Sequence, residues 1–187
     1  TYSEAVYIEC RWGKAEALEY LQGIRENIGN TATMIGHYGV NSEGSGDMYY
    51  KGANLLNTIR SIYDDDALWW KTLKDYTVSN RHKIISTRET EAFFDRATPV
   101  DLNPVFDQYL RNSALPELQL KSKGKNLFFR WKADVEDFNM PVDVILEGEE
   151  IRLFPTTAWQ KFPKKNVKPE EVEVVEQEFY VATQRIE

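Results

Sequence analysis

The sequence predicts an α+β chain: a helical bundle followed by a small antiparallel β-sandwich. Apolar residues recur at three- and four-residue spacing as far as Pro116 and alternate with polar ones beyond it, the periods of helix and strand. Helix-start signals such as Ser86 with Glu89 belong to the first part, and hairpin signals such as Lys123-Gly124-Lys125-Asn126 to the second. With 187 residues, 42% of them hydrophobic, the chain can bury a sizeable core. The change of period divides it into a helical part, residues 1–117, and a sandwich part, residues 118–187.

Taken in order, Tyr2 to Arg11 reads as a short helix with Ala5, Ile8 and Trp12 on one side. Lys14 to Ile28 reads as a second, with Leu18, Leu21, Ile24 and Ile28 inward, stopped by Gly29 and Asn30. Residues 29–46 hold five of the ten glycines, Gly29, Gly36, Gly39, Gly44 and Gly46, and predict a long loop of the kind that often carries function. Asp47 is placed to cap a helix whose stripe is Tyr49, Gly52, Ala53, Leu56, Ile59 and Tyr63. Asp64, Asp65 and Asp66 open the next, which carries Trp69, Trp70, Leu73 and Tyr76. Ser86 and Glu89 form a capping box ahead of Ala92 and Phe93. Asp101 begins the last helix, with Pro104 tolerated in its first turn.

In the second part, Leu118 and Leu120 alternate with polar neighbours. After the turn, Leu127, Phe129, Trp131 and Ala133 face one way and Phe128, Arg130 and Lys132 the other. Val142, Val144 and Leu146 make a strand, Gly148 turns, and Ile151 and Leu153 return. Trp159, Val172, Val174, Phe179 and Val181 supply further short strands.

Composition narrows the function. A net charge of −7 disfavours a nucleic-acid partner, and the basic group Lys161, Lys164, Lys165 and Lys168 reads as a solvated loop. No apolar run approaches the ~18 residues of a membrane span, and mean hydropathy is −0.54. The compartment stays open. Cys10 is a single cysteine and cannot form an internal disulfide, and Thr1-Tyr2-Ser3-Glu4-Ala5 has the character neither of a natural start nor of a signal peptide, so the chain is expected to be a piece of something longer.

Chemistry is sparse. His37 and His82 lack partners at metal-ligand spacing, and no G-x-S-x-G elbow supports a serine triad. Gly44-Ser45-Gly46 before a helix has some character of a phosphate cradle, but no strand precedes it and no Gly-Lys-Ser follows. The triple aspartate reads as capping rather than cation binding. The informative stretch is Gly44 to Leu56, where a flexible glycine loop runs into a helix whose first turn carries a tyrosine, with Gly52 and Ala53 one turn on allowing close packing.

This stretch resembles the aminopeptidase N-like zinc metallopeptidases (gluzincins), whose catalytic domain carries a tyrosine followed by x-Lys-Gly-Ala; Tyr49-Tyr50-Lys51-Gly52-Ala53 fits that pattern. Thr1 to Glu4 resembles the tail of the family's Glu-Gly-Phe-Ala-x-Tyr-x-Glu segment, and Phe106 to Leu110 followed by Pro116 resembles the helix that closes its catalytic domain before a β-sandwich. The resemblance implies that residues 1–117 are the C-terminal helical half of a thermolysin-like domain. It implies Tyr49 as a catalytic residue whose phenol donates to the oxyanion, with Ser45 and Gly46 beside the substrate. The family's H-E-x-x-H and its further Glu ligand do not occur in this sequence. The expected cofactor is therefore zinc in the intact enzyme, with no metal bound by this chain. Expected partners are the upstream catalytic half and peptide substrates, and self-association through an uncovered apolar face is expected of the isolated chain. A rival reading is a non-catalytic protein- or carbohydrate-binding module using Trp69, Trp70 and Trp159 as a platform, and an intermediate one is a family member without its metal.

Overall fold

Among the residues that the computed structural model describes, 1–186, six α-helices precede seven strands. The helices are α1 (Tyr2–Trp12), α2 (Lys14–Gly23), α3 (Asp47–Tyr63), α4 (Asp66–Ser79), α5 (Thr87–Asp95) and α6 (Asn103–Arg111). The strands are β1 (Glu117–Lys123), β2 (Asn126–Lys132), β3 (Val142–Leu146), β4 (Glu149–Leu153), β5 (Gln160–Lys165), β6 (Val172–Val174) and β7 (Ala182–Ile186). They form a four-stranded sheet ordered β5-β2-β1-β7 and a three-stranded one ordered β4-β3-β6.

The α+β class predicted from the periodicity is the class observed, with local departures. The second helix ends at Gly23 rather than Ile28, and Ile24–Asn27 tighten into a 3-10 turn. Trp12 is not inward: it stands 62% exposed and meets Tyr7 edge to face at 5.8 Å, so Ala5 alone of that stripe is fully buried. Of the three aspartates, Asp64 ends α3 in a left-handed conformation, Asp65 caps α4 by accepting from the Leu68 N–H (2.9 Å), and Asp66 begins it. Asp101 precedes α6 by two residues, its carboxylate accepting from the Asn103 N–H at 3.0 Å. The Ser86–Glu89 capping box forms as read.

In the sheets, β1 and β2 join through Gly124-Lys125, and β3 and β4 through Glu147-Gly148, whose φ angles of 55° and 83° suit a tight hairpin. Leu127, Phe129 and Trp131 are buried in alternation along β2. The pairing is antiparallel except at one edge, where β7 runs parallel to β1 because the chain crosses from the second sheet before returning. Phe179 and Val181 lie just before β7, and Trp159 just before β5, rather than within strands. One hydrophobic cluster runs from Ile59, Trp69 and Phe106 in the helices to Leu118, Trp131, Val144 and Phe179 in the sheet region.

Helix α3 is the axis of this arrangement. The predicted stripe underestimates its burial: Leu55, Ile59, Ile62 and Tyr63 are buried, and so are Asp47, Lys51, Asn54, Asn57, Thr58, Arg60 and Ser61. Buried polar groups need partners, and these find theirs on distant segments. Thr58 Oγ1 accepts from the Tyr180 N–H (3.0 Å), while Asn57 Nδ2 and Ser61 Oγ each donate to the Glu178 carbonyl at 3.2 Å. Segment 178–180 is thereby fastened along α3.

Candidate active site

The glycine loop ends where α3 begins, and two close backbone crossings shape it. A Cβ on Gly36 would lie 2.4 Å from the Ser42 carbonyl oxygen, and one on Gly44, whose φ is +78°, would lie 2.2 Å from that of Met34. Only glycine fits at either position. The Ser45 N–H donates to the Thr33 carbonyl (3.2 Å) and the Ile35 N–H to the Leu110 carbonyl (3.2 Å), so the loop is closed at its base and tied to the last residues of α6. Its tip carries Tyr38 and Val40, both exposed.

Asp47 does not cap α3 through its side chain, as the sequence suggested; Gly46 occupies the cap position without a side-chain bond. Instead, the Asp47 carboxylate reaches back across the loop and accepts from the Gly29 N–H (2.9 Å) and the Asn30 N–H (2.8 Å). A carboxylate in the first turn of a helix also sits well against the helix dipole. The consequence is a pinned loop: its entry at residues 29–30 and its exit at Asp47 are held together.

Tyr49 stands one step into that first turn and is 59% exposed, so it does not belong to the buried stripe on which it was expected. Its N–H bonds the Gly46 carbonyl at 3.3 Å, and among the described residues its phenol has no protein partner. Gly46 is open, with nothing within 4 Å of where a side chain would stand. Ser45 is partly covered, and its hydroxyl is buried with no partner among the described residues. The three predicted site residues thus share one turn, with the phenol presented outward.

Two positions on, the side chain of Lys51 points the opposite way, as a 100° step per residue dictates. It is 0% exposed, and its ammonium donates to the carbonyls of Ser113 (2.8 Å) and Asn112 (3.4 Å). Burial pushes its pKa down, and the charges of Asp47 and Asp134 partly offset this. Sequence reasoning took Lys51 as one letter of a motif. Its pairing with carbonyls sixty residues away left no local signal to read.

Other candidate groups are not assembled. His37 and His82 are both exposed, and among the described residues no group of three or more His, Cys, Asp or Glu is placed to hold a metal ion. Trp69 cannot serve as a platform: it is 0% exposed, stacked edge to face with Tyr2 and Tyr63, its Nε1–H donating to the Tyr2 hydroxyl at 3.0 Å. Trp70 is half-buried under the Arg60 guanidinium, and Trp159 lies under Arg130. A polar cavity of about 340 Å³ opens at the far end of α3, among Arg60, Ser61, Asp64, Asp143 and Arg152, away from Tyr49.

No protein-family model and no curated protein matches the sequence. Among solved structures, the chain is similar to the crystal structure of Legionella pneumophila aminopeptidase A in complex with aspartic acid, with a TM-score of 0.66 at 12% identity. The match covers 100% of this chain and 23% of that one. The chain is thus similar in fold to a portion of that structure and spans less than a quarter of its length. No helix of the described residues is long and apolar enough to cross a membrane.

Proposed function

We propose that this chain is part of a zinc-dependent aminopeptidase, a hydrolase that removes residues from the N-terminus of peptides, and that Tyr49 is the catalytic group it contributes. The observation that carries this reading is the placement of Tyr49: an outward phenol without a hydrogen-bond partner among the described residues, on a first turn pinned by Asp47 and Lys51. The likeness of fold supports it. A phenol so held can donate a hydrogen bond to a substrate carbonyl oxygen as that oxygen becomes an anion. A donor fixed in advance needs no reorganisation when the charge develops.

The described residues do not fit a zinc site, since no suitable cluster of ligands exists among them. The metal would be held by residues outside this chain, and no step assigned to Tyr49 passes through it. Peptide substrates and the metal-binding half would be the partners. Tyr38, Val40 and Met48 beside the site, with Tyr7 and Trp12 on α1, are exposed apolar surface that such a half would cover.

In the enzyme containing this chain, Tyr49→Phe is expected to lower kcat by roughly 10²- to 10³-fold, the range for deleting one oxyanion donor. KM should be nearly unchanged and the circular dichroism spectrum the same, because only an exposed hydroxyl is removed. Near-normal turnover of the phenylalanine variant would return Tyr49 to an ordinary surface role.

A further inference from the structure

Lys51 is a fully buried cation in a protein that gives it no carboxylate within ion-pairing distance among the described residues. Burying an ammonium is costly unless its charge is well solvated. A methionine of similar length would fill the same space without that cost. What the ammonium gains is a pair of carbonyls immediately after α6, Asn112 and Ser113, at the negative end of that helix's dipole. These bonds join the first turn of α3 to the end of α6. The Ile35 N–H on the Leu110 carbonyl ties the glycine loop to the same place. Asp47, one helical turn earlier on the same face of α3, ties the start of that turn to Gly29 and Asn30. Tyr49 is the residue between these two anchors.

We infer that Lys51 is a positioning residue, which fixes the phenol of Tyr49 by locking the first turn of α3 onto the end of α6. The inference rests on the reading of Tyr49 as the oxyanion donor for its use in catalysis, but the mechanical link stands on geometry alone. Lys51 touches no substrate; it acts through the backbone of residues 47–51. Tyr49 is 59% exposed and, among the described residues, its phenol has no hydrogen-bond partner, so its place depends on how firmly that turn is held.

The test has a structural and a kinetic arm. In the isotope-labelled chain, Lys51→Met should shift the amide signals of Tyr49 and Tyr50 together with those of Asn112 and Ser113. Amide exchange in the first turn of α3 should accelerate by at least about tenfold, with β1–β7 unmoved. Changes confined to residues 112–113, with Tyr49 undisturbed, would overturn the inference. Where the methionine variant does not fold, the unaltered chain decides: amides of α3's first turn and of the last turn of α6 should open at one common rate, and independent opening overturns the link.

In the active enzyme, Lys51→Met should lower kcat on the order of 10- to 100-fold, as a displacement near 1 Å does, with KM little changed. The double variant should turn over at about the rate of Tyr49→Phe alone, because a misplaced phenol can lose no more than its whole contribution. Losses that multiply would sink the positioning role. If Tyr49→Phe alone leaves turnover intact, it is the catalytic reading that fails, and the amide signals still judge the link on their own.

Discussion

Arg60 is 5% exposed and serves two carboxylates at once: its Nη2 donates to Glu9 (2.8 Å) and Asp66 (2.9 Å), and its Nε donates to Asp66 (2.8 Å). Its guanidinium lies 4.7 Å from the centre of the Trp70 ring. Burial disfavours its charge, but the hydrogen bonds to Glu9 and Asp66 outweigh that and hold its pKa above the ordinary value. Arg60→Met should destabilise the chain by about 1–3 kcal/mol in urea titrations, because Glu9, 19% exposed, loses its partner while Asp66, 55% exposed, can turn to water instead. Lysine should not rescue it, since a single ammonium cannot bond both carboxylates in the fork geometry. The same contact makes a pH prediction. Hydrogen bonding to Arg60 holds the Asp66 carboxyl below its ordinary 3.8, against a smaller opposing effect of burial. With the folded pKa below the unfolded one, the contribution is present above that ordinary value and is lost as pH falls through the folded pKa. Asp66→Asn should therefore lower Tm at pH 7, with the gap to the parent closing below pH 3.8. A gap that persists unchanged near pH 2, below the ordinary carboxylate range, would show that the Asp66 charge is not its source.

At the scale of elements, adjacent identical residues do different work. Asp65 caps α4, so Asp65→Ala should cost about 1 kcal/mol, visible as a fall of roughly 2–4 °C in Tm for a chain of this size. Asp64 is bonded to Arg152 at 3.3 Å but is 73% exposed on its side chain. Asp64→Asn keeps a residue that tolerates the left-handed φ of 53° and should change stability by less than about 0.5 kcal/mol. Equal losses from the two variants in thermal melts would contradict this division. Such local devices were legible in the sequence: the Ser86–Glu89 box, the Gly124 and Gly148 turns, the alternation along β2 and the helix start near Tyr49 all depend on neighbours a few residues apart. The burial of α3 was not legible, because Lys51, Asn57, Thr58 and Ser61 look like a polar face until their partners at Ser113, Glu178 and Tyr180 are known. For the same reason a motif drew attention to Tyr49, whereas Lys51, whose carbonyl partners lie some sixty residues on, was not singled out. The parallel β1–β7 edge escaped too, since a period of two carries no direction.

For the whole molecule, the boundary near Pro116 marks a change of element type, and the contacts across it argue against two independent folding units. Segment 176–181 belongs by sequence to the sheet part, yet several of its backbone groups are bonded by side chains of the helical part. The Tyr180 N–H donates to Thr58, the Glu178 carbonyl accepts from Asn57 and Ser61, the Tyr180 carbonyl accepts from the Tyr109 hydroxyl (2.6 Å), and the Glu176 carbonyl accepts from Arg25 (2.7 Å). Arg152 on β4 also donates to the Ser61 carbonyl at 2.8 Å. Without α3 and α6 the Tyr180 N–H and carbonyl would need water, which the buried Phe179, Tyr180 and Val181 exclude from their surroundings. Residues 118–187 alone should therefore fail to melt cooperatively. The entire chain should unfold in one transition, with the aromatic near-ultraviolet and the backbone far-ultraviolet circular dichroism signals coinciding. Thr58→Val provides the sharper test, because it keeps side-chain volume while leaving the Tyr180 N–H unpaired, at a cost of about 1–3 kcal/mol. Both signals should move to lower denaturant by the same amount, although Thr58 lies in the helical part and its partner in the other. Two separated transitions in the variant, with only the helical one displaced, would show that the two parts fold independently after all.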